Sequence, residues 1–220
     1  YSFLGKDPFL ILRARGGRTM IERDGESAES ETPFLDALRS TMAGFRSPLV
    51  PGLPRFTGGA VGYLGYDAVR WFEPVPVPPR AEGDPDTDDA GFMVFDTVLA
   101  FDHVQHRILL IANARVGADD DLHALYQFAC AKIAFLEAEL ERSLSLGSGP
   151  VAGPAEVRSN LAREAFEAHV TAAKSAIAAG EIYQVVLSQR FETRLSADPF
   201  TVYRALRHVN PSPYMFFIRM

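Results

Sequence analysis

The run Glu181-Ile182-Tyr183-Gln184-Val185-Val186-Leu187-Ser188-Gln189-Arg190-Phe191 predicts a β-strand. Successive side chains of a strand point to opposite faces. Gln184, Val186, Ser188 and Arg190 therefore share one face, and Tyr183, Val185, Leu187 and Gln189 share the other. A row of Gln, Ser and Arg suits the wall of a polar pocket for an anionic ligand, with Arg190 the candidate carboxylate partner. A half-exposed strand with an ordinary polar face is the alternative, and periodicity alone leaves both open. Upstream, Asn160 is placed to cap a helix whose apolar face is Phe166, Val170, Ala173 and Ile177, with Gly180 ending it. Downstream, Asp198-Pro199 opens a second helix running through Phe200, Tyr203 and Leu206 to His208. Asn210-Pro211-Ser212-Pro213 then makes a rigid turn into an apolar strand, Tyr214 to Met220.

Nearer the start, Phe9 to Glu22 reads as two short strands about Gly16-Gly17, a hairpin signature. The polar residues Asp24 to Glu31 are expected to form a loop. Thr32-Pro33 starts a helix, with Pro33 at its first position and Phe34, Leu35, Leu38 and Met42 on one side. Phe56 to Asp67 carries glycines at 58, 59, 62 and 65, but not the G-x-G-x-x-G spacing or the Lys-Ser/Thr ending of a phosphate-binding loop. A strand whose glycines let another backbone approach closely is the better account. Pro74 to Asp89 combines five prolines with five acids, so a solvated loop is expected. A cation site built from Asp84, Asp86, Asp88 and Asp89 would lack the glycine and terminal glutamate of a calcium loop. Phe92 to Phe101 and Arg107 to Ala112 form an antiparallel pair, with His103 and His106 as surface residues of the turn. Asp119-Asp120-Asp121 opens a helix with an apolar stripe of Leu122, Leu125, Ala129, Ile133, Leu136 and Leu140. Cys130 is expected to be buried in that helix's packing.

With 220 residues and a near-average hydrophobic content of 47%, the chain is long enough to bury a core without staples. The net charge of -6 argues against nucleic acid as a partner, which requires a basic face. No apolar run approaches the length of a membrane span, so no membrane association is expected. A single cysteine points to an intracellular compartment. The chain opens at Tyr1 inside an apolar-polar pattern and stops in an apolar run with no polar tail, as expected for a piece of a longer protein.

The run Ala179 to Phe191, followed by Asn210-Pro211-Ser212-Pro213-Tyr214-Met215-Phe216-Phe217, resembles anthranilate synthase component I. Tyr1-Ser2-Phe3-Leu4-Gly5 and the glycine segment Phe56 to Asp67 match the same family, so the resemblance spans the chain. The fold it implies is α+β, with antiparallel β-sheets packed as a sandwich and helices on the outside. The organisation expected is an N-terminal α+β region over 1–146, a linker over 147–158 and the start of a chorismate-binding region over 159–220. The activity implied is that of a lyase of tryptophan biosynthesis in the cytoplasm. Chorismate loses its hydroxyl, gains ammonia and eliminates pyruvate to give anthranilate. A glutamine amidotransferase subunit supplies the ammonia, Mg²⁺ holds the substrate carboxylate, and tryptophan inhibits by feedback.

The resemblance also assigns residues. Gln184 falls where the related isochorismate synthases carry a lysine general base, and glutamine cannot take that role near neutral pH. Ammonia rather than activated water would then attack, which makes Gln184 the catalytic candidate. Pro213, Tyr214 and Met215 match the segment that contacts bound tryptophan, where Tyr214 and Met215 offer polarizable surface to an indole. Core filling by Tyr214 and Met215 is the alternative. A Leu-Leu-Glu-Ser motif that helps bind tryptophan is expected before Tyr1. The Mg²⁺-binding glutamates and a catalytic histidine motif are expected beyond Met220, with no metal ligand in this stretch. By itself the stretch should make no anthranilate and should fold poorly. Aminodeoxychorismate synthase component I is the nearest alternative, and a non-catalytic amino-acid-binding module a more distant one. Met215 after Pro213-Tyr214, and Val185-Val186-Leu187 after Gln184, favour the anthranilate enzyme.

Overall fold

Gly16 and Gly17 adopt φ of +56° and +81°, conformations that cost an L side chain energy and that a tight two-residue hairpin requires. Around them β2 (Leu10–Arg15) pairs antiparallel with β3 (Arg18–Arg23), Arg15 facing Arg18. The structure is a computed structural model describing residues 1–23, 25–76, 87–142 and 156–220. Those residues group into two compact units, Tyr1–Leu144 with Ile218–Met220, and Ser145–Phe217.

In the first unit, β3 is followed by β4 (Glu26–Ser30), which adds to its edge. The expected polar loop is therefore a strand. Its Glu-Ser-Ala-Glu-Ser sequence lacks apolar alternation because neither face meets a core, and edge charges keep the open side of a sheet from pairing further. α1 (Phe34–Ala43) begins one residue later than expected, with Pro33 at its cap. β5 (Gly59–Leu64) is the glycine strand and pairs with β6 (Ala90–Phe95). The full order is β4-β3-β2-β6-β5.

The expected single strand over Phe92–Phe101 is two strands in two sheets. β7 (Thr97–Asp102) leaves β6 at Asp96 and pairs with β1 (Ser2–Gly5) and β8 (Arg107–Ala112) in a second sheet, β1-β7-β8. Asp96 makes the break. Its carboxylate accepts both Lys132 Nζ contacts, at 3.0 and 3.1 Å, and the Thr97 hydroxyl at 2.7 Å. Asn113 Nδ2 donates to the Asp96 carbonyl at 2.9 Å and to the Thr57 carbonyl at 2.7 Å. Backbone groups that have left one ladder are thus satisfied before the next begins.

β6 is apolar on both faces because both are covered. Ala90 and Val94 join Leu10, Leu12, Ala14, Phe34 and Ala37 in a core beneath α1. Met93 and Phe95 join Val98, Ala100 and Ile111 of the other sheet in a core between the sheets. This is the α+β sandwich implied by the sequence. α2 (Leu122–Glu141) lies along β8, capped by Asp121, whose carboxylate accepts the His123 and Ala124 N–H groups. Leu125, Ala129, Ile133 and Leu136 of the expected stripe are half-buried, whereas Leu122 and Leu140 are exposed. Cys130 is exposed, contrary to expectation, because it lies off the side of α2 that faces the sheet.

The second unit holds β9 (Val157–Ser159), α3 (Arg163–Ala178), β10 (Phe191–Thr193) and α4 (Pro199–Val209). None of its described residues is fully buried. The expected strand over 181–191 forms a ladder only at its far end, where β10 pairs with β9. Tyr214 to Met220 likewise runs without a ladder. Alternating sequence prepares a chain to be extended, but a strand exists only where a neighbour takes its hydrogen bonds. Among the described residues no other strand takes the hydrogen bonds of either run, although Met220 lies against Gly91 of β6. The expected linker falls mostly outside the described residues, as do Asp84 and Asp86.

Candidate functional site

Gly180 decides where the Gln184 stretch begins. At φ +77° it ends α3 in a left-handed turn, its N–H bonding the Ile177 carbonyl and that of Glu181 bonding Ala176. This paired closure satisfies the last carbonyls of the helix and redirects the chain at Glu181. From there Glu181 to Val186 line an open cavity of about 430 Å³, with Gln184 exposed on its wall. Leu187, Gln189 and Arg190 are half-buried, and Ser188 is exposed. The alternation of a strand is thus only partly kept.

Arg190 Nε stands 2.6 Å from Glu192 Oε1, so a carboxylate of this chain already faces the guanidinium proposed for an anionic ligand. Its backbone is held by Asn160. The Asn160 side-chain oxygen accepts the Arg190 N–H at 2.8 Å, and the Asn160 N–H donates to the Arg190 carbonyl at 3.1 Å. Asn160 is therefore not the cap of α3, whose cap position is Ala162 without a side-chain bond.

The second candidate segment follows α4. Asp198 caps that helix by accepting the Phe200 N–H at 2.9 Å, with Pro199 in the first turn, as the sequence implies. Phe217 packs on Phe200 and Tyr203 at ring distances of 5.3 and 5.7 Å, which ties the end of the segment to the helix. Pro213 is exposed, Met215 is half-buried, and Tyr214 is 91% exposed. Tyr214 thus does not fill a core among the described residues. Among the described residues no hydrogen bond, ion pair or ring contact joins Gln184 to Pro213, Tyr214 or Met215.

Elsewhere the polar clusters serve the fold. Asp88 accepts Arg13 Nη1 at 3.0 Å and Arg15 Nε at 2.8 Å. Burial alone would raise its pKa, but the two guanidinium groups outweigh burial and hold it below the ordinary carboxylate value. Asp89 accepts the Gly16 N–H at 2.8 Å, so neither acid is spare for a cation. His103 and His106 are both exposed, and His103 Nε2 lies 2.8 Å from the Ser2 hydroxyl. Among the described residues no three His, Cys, Asp or Glu side chains converge to hold a metal ion. Among them, too, no helix is long and apolar enough to cross a membrane. The glycine strand matches the close-approach account. A Cβ on Gly62 would overlap the Gly91 carbonyl oxygen and stand 2.6 Å from Phe92 Cα. The clamp from Asn160 to Arg190 was not legible in sequence, because Asn160 also suits a helix cap.

A family model described as chorismate binding enzyme matches residues 5–220. The chain is 37% identical over 228 residues to anthranilate synthase component 1 of Acetivibrio thermocellus, covering 100% of this chain and 45% of that protein. It is 39% identical over 232 residues to the component 1 protein of Synechocystis sp., covering 98% and 44%. The crystal structure of anthranilate synthase component I from Streptococcus pneumoniae superposes with a TM-score of 0.78 at 28% identity, covering 98% of this chain and 47% of that one. The chain spans about half the length of the curated relatives it matches.

Proposed function

Since the chain belongs to the chorismate binding enzyme family, we propose that it is part of an anthranilate synthase component I, a lyase that converts chorismate and ammonia to anthranilate and pyruvate. The likeness to anthranilate synthase component 1 proteins over essentially the whole chain carries this reading. Gln184 contributes a neutral amide at the point where a water-activating base would otherwise stand. An amide takes no proton from water near neutral pH, whereas ammonia brings its own nucleophilic lone pair. The exposed position of Gln184 on a cavity wall is compatible with that role.

In the same reading, a glutamine amidotransferase subunit delivers the ammonia, and Mg²⁺ is held by residues other than those described. Tryptophan inhibits by binding at Pro213, Tyr214 and Met215. The exposed Tyr214 ring and the anchoring of Phe217 on α4 support that assignment. The expected setting is the cytoplasm.

The test supplies chorismate, ammonium and Mg²⁺ to the full-length protein that contains this chain and follows anthranilate fluorescence. Anthranilate should accumulate, and Gln184→Ala should slow it at least tenfold. Residues 1–220 alone should give none. An aminated product that retains its enolpyruvyl group would instead assign the protein as aminodeoxychorismate synthase component I. Absence of any chorismate turnover by the full-length protein would sink the enzymatic reading.

A further inference from the structure

A side-chain cap at a helix start is worth about 1 kcal/mol, and Asn160 stands three residues before α3 and two before its cap position. Here α3 begins at Arg163 behind Ala162, with no side-chain cap, and Asn160 is turned instead onto Arg190. β9 and β10 pair over only three positions, Ser159 with Phe191, Arg158 with Glu192 and Val157 with Thr193, all exposed. Asn160 adds a fourth rung. Its main-chain N–H donates to the Arg190 carbonyl at 3.1 Å, while its side-chain oxygen accepts the Arg190 N–H at 2.8 Å. The side-chain carbonyl stands in for a main-chain one as the chain turns away toward α3. Beside it, Gln189 Nε2 reaches Ser159 Oγ at 3.3 Å.

We infer that Asn160 is a positioning residue: by pinning Arg190 at the end of the β9–β10 pair it fixes where the Gln184 run enters that pair, and so how Gln184 and Ser188 are presented to chorismate. This rests on the reading of Gln184 above. The side-chain period of a strand is two, so a slip of one residue in the β9–β10 pairing would turn residues 191–193 to the opposite face and shift the run before them by one residue. Three exposed pairs with no core beneath them give either register little advantage. A side-chain amide that pairs with one backbone position, and is too short to reach the next, supplies the discrimination that the ladder lacks.

The kinetic signature follows from selection between registers. If only one register accepts chorismate, loosening the clamp reduces the competent fraction, and the apparent affinity falls by that fraction. Saturating chorismate recovers the competent register, so the maximal rate is retained. In the full-length protein, Asn160→Ala should raise KM for chorismate about twofold, because two registers of similar weight leave about half of the molecules competent, with kcat equal to that of the parent. Asn160→Asp keeps the accepting oxygen and should return KM to near the parent value. Amide hydrogen exchange at Arg190 should quicken in the alanine variant and not in the aspartate variant. A lower kcat with unchanged KM would mean that Asn160 only maintains folded protein, and the inference fails. It fails equally if the aspartate variant is no better than alanine. Parent-like kinetics in Gln184→Ala would overturn the underlying reading of the stretch. An impaired Gln184→Ala beside an unaffected Asn160→Ala would overturn the register inference alone.

Discussion

Gly62→Ala is the substitution that best separates the two accounts of the glycine strand. The added Cβ would overlap the Gly91 carbonyl oxygen and lie 2.6 Å from Phe92 Cα and 2.7 Å from Phe92 Cγ. Two of these three atoms belong to the β6 backbone, which cannot swing aside as a flexible side chain does. Gly62 faces Phe92 in the β5–β6 register, and β5 is the edge of its sheet, so the easiest relief is for β5 to peel from β6. Forcing extra atoms into a packed contact costs about 1–3 kcal/mol, and a backbone obstacle places this case near the top, at about 3 kcal/mol. Local opening free energies are read directly by native-state hydrogen exchange. At about 1.4 kcal/mol per tenfold, the amides of Gly59–Leu64 should exchange on the order of 100-fold faster. Gly44→Ala is the control. Gly44 has helical backbone with φ of -73°, and its nearest contact would be an ordinary 3.4 Å to the Thr41 carbonyl oxygen. Exchange in that variant should stay close to the parent. If Gly62→Ala leaves β5 exchange unchanged but abolishes binding of a phosphate-bearing ligand, the close-approach account is wrong and the glycines form a cradle.

Asp88→Asn should destabilise the first unit by about 1–3 kcal/mol, discounted for the part exposure of both arginines. The folded carboxyl is held below its unfolded value, so its contribution is present above the unfolded pKa of about 3.9 and is lost as pH falls through the lowered folded value. Acid titration of stability should therefore be shallower for the variant below about pH 4, and parallel curves there would refute the assignment. Met215→Thr in the full-length protein should raise the tryptophan concentration needed for half-inhibition at least tenfold, with activity in its absence within twofold. Unchanged inhibition with a lower melting temperature would make Met215 a packing residue.

Local features of the chain were legible because their causes are local. Gly16-Gly17 specifies a hairpin turn through φ alone, Asp198-Pro199 specifies a helix start, and the apolar spacing in 125–136 specifies a helix side. The motifs at 179–191 and 210–217 carried the family resemblance because such runs are read residue by residue, without knowledge of what packs against them. Tertiary structure decided what depends on partners distant in sequence. A polar run became β4 because β3 presented an open edge, and one apolar run became two strands because Lys132 and Asn113 capture Asp96 between them. Cys130 faces solvent because a helix lying on one sheet buries only one side. Asn160 is held away from α3 by a backbone amide thirty residues away, and among the described residues no strand pairs with 182–189. Propensity and periodicity state what a segment is able to do. Hydrogen-bond partners and buried surface, supplied by the rest of the chain, select which of those states it adopts.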